Sequence, residues 1–255
     1  MMSRQGSHTT SAAVYSEFGA SYVGRGFELA FQKGLRRYAL IPLLINIVLF
    51  SVAIYAIFHY TTVWVSDFLA WLPEWLRWLE IILWPLVILT VVLLFALTFT
   101  SVANIIASPF NSFLAEKVEA RLTGIVPADN GVAGLVKDIP RTLGREMQKL
   151  VYFIPRSIGF LLLLLFVPVI GQLLWLLWGG WMMTIQYADY AFDNHKVPFR
   201  QMRMSLGKRQ GKSLSFGVVV AFLASIPIVN LIMIPVAVCG ATAFWVDHMR
   251  AENLH

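Results

Sequence analysis

Four long stretches without a single Asp, Glu, Lys or Arg divide this chain, and they constrain its fold more than any other feature. They are residues 38–66, 81–115, 157–188 and 213–246. A bilayer core is about 30 Å thick and an α-helix rises about 1.5 Å per residue, so a membrane span needs roughly 20 apolar residues. The first two stretches therefore predict single transmembrane helices, which are most apolar at 38–60 and 81–103.

The composition argues against an ordinary soluble domain. Hydrophobic residues make up 58% of the 255-residue chain and charged residues only 13%, whereas soluble domains are close to half apolar and about a quarter charged. The single cysteine, Cys239, has no partner for an internal disulfide, and five scattered histidines offer no metal-ligand framework. We therefore expect no disulfide, metal ion or cofactor. Residues 1–14, rich in Ser, Thr and Ala, predict a flexible tail.

The third and fourth stretches are each too short to cross the membrane twice and longer than a single crossing needs. Pro168 and Gly171 interrupt the third near its middle, and Pro227 and Asn230 interrupt the fourth. Proline removes a helical N–H group, while Gly and Asn tolerate the backbone of a turn. Each stretch therefore predicts a helical hairpin that enters the bilayer partway and returns. Helices broken at membrane depth are typical of transport paths.

The basic residues predict the topology. If each hairpin returns to its starting face, all but one of the 20 Lys and Arg residues lie on one side, and Arg77 is the exception. The same count holds if the hairpins cross fully, so it does not distinguish the two models. Basic loops face the cytoplasm, so this side is cytoplasmic, and the net charge of +6 needs no nucleic-acid partner. The predicted fold class is an all-α integral membrane protein with one helical domain, residues 15–255. It has two long transmembrane helices, two Pro-broken, partially inserted hairpins, and amphipathic helices.

Two segments on the cytoplasmic side have the helical spacing of amphipathic helices. Phe18, Tyr22, Phe27, Ala30 and Phe31 give an irregular stripe before the first span, which predicts an interfacial helix. Cytoplasmic helices are expected within 112–151, where Leu143, Met147 and Leu150 continue an apolar periodicity. One side of this second segment carries three basic residues at four-residue spacing, which favour a lipid-facing or solvated stripe over a ligand site: Arg141, Arg145 and Lys149.

Residues suited to catalysis are few, and we predict that the chain is not an enzyme. The uncharged stretches contain no acidic group, and no Ser, Thr or Tyr in them has a nearby His to act as a base. Asp189, Asp193 and His195 suggest either a small metal site or a charge cluster at the membrane edge. We favour the charge cluster, because metal ligands within a membrane need a cavity to face.

The segment from Lys33 to Arg37 suits the binding of an anion. Gly34 can end the interfacial helix, and the first N–H groups of the next helix would lack partners. Arg36 and Arg37 add charge-assisted donors in the fork geometry that matches oxyanions. The alternative is that both arginines extend to lipid phosphates and enforce the topology.

The run from Asn104 to Gly124 contains Pro-Phe-Asn at 109–111, then Leu-Ala-Glu and Glu-Ala-Arg-Leu. This run closely resembles the bacterial sulfate transporter family CysZ. Gly34-Leu35-Arg36 is similar to the Gly-Leu-Arg sulfate-binding motif of that family, here followed by Arg37. The resemblance extends over nearly the whole chain in length and order.

The resemblance implies a multi-pass protein of the bacterial inner membrane that passes sulfate into the cytoplasm for cysteine synthesis without an ATPase. It also implies a homo-oligomer surrounded by membrane lipid. The residues expected to contact sulfate are Gly34, Leu35, Arg36 and Arg37. Two alternatives remain open, namely a transporter of another small anion or solute and a non-transport scaffold that shapes the membrane.

Four further residues are candidates for a pore or for structural roles. Pro109 is expected to break the second long helix, and Asn111 and Glu116 beside it would orient helices or pair with an arginine such as Arg121. Capping and packing are equally open roles for them. The hairpin breaks add Gly171 and Asn230 as candidate sources of free N–H groups along the sulfate path.

Overall fold

The computed structural model describes residues 18–70, 73, 78, 80–125 and 131–254, and all regular secondary structure in these residues is helical. The all-α class is therefore confirmed, while the predicted tail 1–14 lies outside the described residues. In chain order the helices are α1 (Ser21–Phe31), α2 (Arg36–Ala70), α3 (Glu80–Thr123), α4 (Gly131–Phe166), α5 (Pro168–Asn194), α6 (Phe199–Gly207), α7 (Gln210–Ala224), α8 (Pro227–His248) and α9 (Arg250–Asn253).

The chain divides into two compact units. One combines the N-terminal segment up to Leu40 with the chain from Asn111 onward, and the other runs from Ile41 to Phe110. The second unit contains most of α2, where large apolar side chains are exposed: Leu44, Ile47, Val48, Phe50, Val52 and Tyr55. A contiguous exposed apolar surface of this kind marks contact with a membrane or another protein. The predicted spans 38–60 and 81–103 fall within α2 and α3.

The two helical interruptions lie where the proline patterns predict them. Helix α4 ends at Phe166 and α5 begins at Pro168, while α7 ends at Ala224 and α8 begins at Pro227. Proline suits the first helical position, where its missing N–H group costs nothing. In both cases the two helices on either side of the interruption pack against each other. How deeply these hairpins enter a bilayer stays a prediction.

The expected break at Pro109 is wrong. Helix α3 continues through Pro85 and Pro109 to Thr123, and α4 continues through Pro140 and Pro155. An internal proline removes one hydrogen bond, but the helix persists when the bonds on either side hold it. The predicted cytoplasmic helices within 112–151 are therefore continuous with the long helix α3 and with the first arm of the hairpin.

Helix α1 packs against α8. Gly26 allows close approach, since a Cβ there would lie 2.2 Å from the carbonyl oxygen of Val236. The stripe predicted for α1 is split between two faces, because Tyr22 is buried in the core while Phe27 and Phe31 are exposed.

Helix α4 turns its apolar side outward and its basic side inward. Leu143, Met147 and Leu150 are 42%, 58% and 45% exposed, whereas Arg145 and Lys149 are only 8% and 4% exposed. The predicted lipid-facing or solvated basic stripe is therefore wrong. An outward apolar face around buried charges is the reverse of the pattern in water and is favourable in lipid.

Two helices in the described residues are long and apolar enough to cross a membrane, Pro140–Phe166 and Pro168–Asn194. Length and composition alone would also fit the core helix of a soluble protein, so the exposure of the apolar side chains is needed to distinguish the two. On the first of these helices, few residues in the most apolar window are buried. The two features together indicate a membrane protein.

Helices α5 and α7 cross with their backbones in close contact. A Cβ at Gly217 would lie 1.8 Å from the carbonyl oxygen of Gly180, and one at Gly180 would lie 2.9 Å from the backbone nitrogen of Val218. Next to this crossing, the Thr184 hydroxyl donates a hydrogen bond to the carbonyl oxygen of Ser213. Small residues that bring helix backbones together are typical of packing in membranes.

We expect Gly217→Ala to lower the free energy of unfolding by about 1–3 kcal/mol, because the new methyl group must displace backbone. Gly179→Ala is the matched control on α5, since a Cβ there meets nothing within 4 Å and alanine favours a helix by up to about 1 kcal/mol. Thermal unfolding of the detergent-solubilised protein measures both. Equal melting temperatures for Gly217→Ala and wild type would contradict the close crossing.

Candidate functional site

A tight turn joins α1 to α2 and presents two adjacent arginines. The N–H groups of Leu35 and Arg36 both donate to the carbonyl oxygen of Gln32, at 3.1 and 3.0 Å. Gly34 has a φ of 98°, a left-handed conformation that glycine adopts without steric cost. Leu35 is buried and anchors the turn, while Arg36 and Arg37 are exposed.

The two arginines differ in how they are held. Arg37 donates from Nη2 to the Tyr38 hydroxyl at 2.7 Å, and its guanidinium lies 4.6 Å from the centre of the same ring. Arg36 is exposed, and no partner for its side chain is found among the described residues. The turn therefore combines one arginine fixed against an aromatic ring with one that is available to a ligand.

A third cation, Lys117, is linked to this turn by a chain of aromatic contacts. The Tyr38 ring packs edge-on against Phe113 of α3, with 5.3 Å between the ring centres. Lys117 Nζ lies 4.7 Å from the centre of the Phe113 ring. Sequence reasoning missed Tyr38 and Lys117, although the spacing of Phe113 and Lys117 at i and i+4 places them on one helix face.

The remaining candidate residues have different surroundings. Asn111 is buried, and its Nδ2 donates to the Tyr190 hydroxyl at 3.3 Å. Its Oδ1 is buried without a hydrogen-bond partner among the described residues. Glu116 is half-buried and Arg121 is exposed on the last turn of α3. Pro109 lies inside the helix as described above, and roles for these four residues in a pore stay predictions.

Gly171 and Asn230, at the hairpin breaks, do not provide the free donors that the sequence suggested. The Gly171 N–H group donates to the carbonyl oxygen of Val167 at 2.7 Å, and the Asn230 N–H group donates to that of Ile226 at 2.8 Å. Both donors are thus used within the chain. In addition, a Cβ at Gly171 would lie 2.4 Å from the Cα of Leu164, so this glycine serves close packing within the hairpin.

A buried network of ion pairs joins α4 to α5. Arg145 Nε donates to Asp189 Oδ1 at 2.6 Å, and Arg145 Nη1 donates to the carbonyl oxygen of Val197 at 2.6 Å. Lys149 Nζ lies 3.1 Å from the other oxygen of Asp189. One carboxylate on α5 therefore binds two cations that are one turn apart on α4, and all three side chains are buried.

Further contacts balance the charge of this network. Asp193 pairs with Arg141 and lies 3.5 Å from Arg145 Nε. Lys149 Nζ also donates to Glu146 Oε1 at 2.6 Å. Three cations, Arg141, Arg145 and Lys149, face three carboxylates, so the network is formally neutral. It stabilises the packing of α4 on α5 and has no excess charge for an anion.

His195, which the sequence grouped with Asp189 and Asp193, belongs to a different cluster. Its Nε2 lies 2.8 and 2.9 Å from the two oxygens of Glu119, and Arg250 Nε donates to Glu119 Oε1 at 2.7 Å. Among the described residues, no group of three or more His, Cys, Asp or Glu side chains is placed to hold a metal ion.

The surroundings of Glu119 shift its pKa. Burial is the largest influence and raises the pKa, but hydrogen bonds and charges from His195 and Arg250 outweigh it, so the pKa lies below the ordinary value of 4.5. This cluster ties the end of α3 to the chain after α5 and to α9.

The fold is all-helical, and the two long apolar helices with outward apolar faces suggest a membrane protein. A model of the family described as sulfate transporter CysZ/Etoposide-induced protein 2.4 matches residues 22–235, which is more than half of the chain. The chain belongs to this family, which confirms the resemblance seen in the sequence. The matched region includes the Gly34 turn and the buried network. The family is a family of transporters, which supports a non-enzymatic role.

Removing Arg145 tests the buried network. We expect Arg145→Met to lower the free energy of unfolding by about 3–5 kcal/mol, because it leaves two buried carboxylates short of a partner. Arg209→Met is the matched control, since Arg209 pairs with the more exposed Glu252, and exposed pairs contribute little. Chemical unfolding in detergent compares the two variants. Similar losses in both would show that the network is not a main source of stability.

The Glu119 cluster predicts an acid-sensitive contribution to stability. Because folding lowers the pKa of Glu119, its contribution is present above pH 4.5 and is lost as the pH falls through the lowered pKa. Melting temperatures across the acid range should therefore fall more steeply for wild type than for Glu119→Gln. At neutral pH the variant should be the less stable protein. Parallel pH profiles would contradict this role for Glu119.

Proposed function

We propose that this protein carries sulfate across the bacterial inner membrane, without ATP hydrolysis, and supplies it for cysteine biosynthesis. Membership of a sulfate transporter family supports the substrate class. The observation that carries the proposal is the turn at Gly34, which presents Arg36 and Arg37 side by side at the start of α2.

The charge distribution supports this turn as the sulfate-binding site. The buried cations Arg145 and Lys149 are already paired with carboxylates of the chain. By contrast, Arg36 is exposed, and among the described residues the Arg37 side chain has a hydrogen bond only to the Tyr38 hydroxyl. Cations without carboxylate partners attract anions and raise their local concentration. Sulfate would meet excess positive charge at the turn, not in the neutral network.

The geometry of Arg37 suits the binding of an oxyanion. Its contact with Tyr38 fixes the guanidinium plane, so less side-chain entropy is lost when an oxyanion binds. The guanidinium has five N–H groups, and the Tyr38 hydroxyl receives a hydrogen bond from only one of its nitrogens. Lys117 adds a further positive charge on the adjoining aromatic ring. We include Lys117 with Gly34, Leu35, Arg36 and Arg37 in the proposed site.

The hydrogen-bonding groups of the proposed site favour a fully ionised dianion. Transferring an unpaired ion to a dry interior costs on the order of tens of kcal/mol, so sulfate needs donors or water along its path. The arginine and lysine groups at the turn are donors only. Sulfate has only acceptor oxygens at neutral pH, whereas protonated phosphate carries an O–H group that needs an acceptor. The site should therefore prefer sulfate.

The exposed apolar side chains support a protein that is surrounded by lipid and through which sulfate passes. Exposed apolar side chains on α2 and α4 are suited to lipid or to a second copy of the chain. We propose that the protein is a homo-oligomer with two transmembrane helices and two partially inserted hairpins. Asn111, with its buried Oδ1, is then a candidate for holding water or orienting helices beside the path.

Uptake of radiolabelled sulfate into liposomes tests the function. We expect the double variant Arg36→Ala/Arg37→Ala to lower uptake at least about tenfold at sulfate concentrations below saturation, since each hydrogen bond to a charged group contributes about 1.5–3 kcal/mol. Folding should be retained because both side chains are exposed.

Lys208→Ala is the control for loss of a positive charge elsewhere, since the Lys208 side chain is 68% exposed and lies 3.8 Å from Glu252. Its uptake should equal that of wild type. Wild-type uptake no faster than in empty vesicles would reject transport of sulfate. Full uptake by the double variant would reject the turn as the binding site and leave the arginines as lipid anchors. Competition with phosphate and sulfite tests the selectivity.

A further inference from the structure

A cavity of about 490 Å³ lies beside α4 and α6, away from the Gly34 turn along the chain. Its lining combines arginine side chains with aromatic and aliphatic ones. The residues are Met147, Gln148, Val151, Tyr152, Arg156, Phe199, Arg200 and Arg203. None of these residues is acidic, which sets the cavity apart from the neutral network of Arg145 and Lys149.

Two of the arginines are fixed against one aromatic ring. The guanidinium carbons of Arg156 and Arg203 lie 4.0 and 4.4 Å from the centre of the Tyr152 ring. Trp181 Nε1 donates to the Tyr152 hydroxyl at 3.1 Å and so orients the ring. Arg203 also lies 5.1 Å from the centre of the Phe199 ring. Contacts of this kind hold guanidinium groups in place without neutralising them.

The donors of this cavity exceed the acceptors available to them. Arg203 Nε is buried and has no hydrogen-bond partner among the described residues. Arg200 is exposed, and the described part of the chain supplies no partner for its side chain. A buried donor without a partner costs free energy, and nearby positive charges repel one another. An anion in the cavity would relieve both costs.

The cavity continues into an apolar surface. Along α4, large side chains are exposed at spacings of three and four residues: Met147, Val151, Ile154, Ile158, Leu162 and Leu165. Met147 and Val151 belong both to this stripe and to the cavity lining. A ligand that fits the whole surface therefore has an anionic group at one end and long apolar chains at the other.

We infer that the cavity binds the phosphate group of an anionic phospholipid, whose acyl chains lie along the exposed stripe of α4. The shared chemistry is that of a tetrahedral oxyanion, which free sulfate or phosphate also has. The stripe favours the lipid, because a free ion would leave this apolar surface without a partner. Anionic lipids are attracted to clusters of basic residues on the cytoplasmic face of a membrane, where the sequence places these arginines.

Native mass spectrometry of the full-length protein in detergent tests the inference, with phosphatidylglycerol as the anionic probe and phosphatidylcholine as the neutral one. We expect Arg200→Gln/Arg203→Gln to bind phosphatidylglycerol about thirtyfold more weakly, because each basic residue removed near a lipid surface weakens binding about fivefold. Binding of phosphatidylcholine should not change. Lys208→Gln, which removes an exposed charge outside the cavity, should bind both lipids like wild type.

If the double variant does not fold, the single variant Arg200→Gln tests the same inference. Arg200 is exposed, so its removal should preserve the melting temperature and still weaken phosphatidylglycerol binding about fivefold. Equal phosphatidylglycerol binding by wild type and by a folded variant would overturn the inference.

A calorimetric titration with inorganic sulfate distinguishes the two sources of the oxyanion. Sulfate affinity should be unchanged in Arg200→Gln/Arg203→Gln and reduced in Arg36→Ala/Arg37→Ala. Loss of sulfate binding in the cavity variant, with phosphatidylglycerol binding retained, would assign the cavity to the free ion and overturn the lipid site. Failure of sulfate transport would leave the lipid measurements unaffected, so the two proposals are tested separately.

Discussion

The pairing of Asp189 with Arg145 and Lys149 is the interaction on which the arrangement of the chain depends. It fixes the face of α4 that packs on α5, with Arg145 Nε 2.6 Å from one carboxylate oxygen and Lys149 Nζ 3.1 Å from the other. With the basic face turned inward, the apolar face of α4 must point outward. Only a lipid environment or another apolar surface makes that outward face favourable, so a single network determines both the packing and the surroundings of the helix.

The neutrality of this network supports the proposal that anions bind elsewhere in the protein. Because its three cations are matched by three carboxylates, the interior carries no excess charge at this place. In the part of the chain that the structure describes, two proposed sites combine basic side chains with an arginine held against a tyrosine ring. At the Gly34 turn, Arg37 packs on Tyr38, while in the cavity Arg156 and Arg203 pack on Tyr152. The first site has an exposed arginine for a soluble ion, and the second adjoins an apolar stripe suited to lipid.

Much of the fold could be predicted because uncharged length and proline position are local properties. They gave the all-helical class and the interruptions at Pro168 and Pro227. The same local rule failed at Pro109, where α3 is continuous, because one lost hydrogen bond does not end a helix that its flanking turns and packing support. The prediction of free N–H groups at Gly171 and Asn230 was also wrong, because both groups donate to carbonyl oxygens four residues earlier in the chain.

The sequence by itself determined the helical membrane class, the family, and the pair of arginines after a glycine turn, since all three depend on composition or on adjacent residues. Only the tertiary structure decided which side of α4 faces inward. Periodicity separates an apolar face from a basic face, but it does not say which one is buried; that depends on Asp189 and Asp193, far along the chain on α5. For the same reason only the folded chain brings Arg156 and Arg203 onto one tyrosine ring, because electrostatic and packing contacts act through space and not along the sequence.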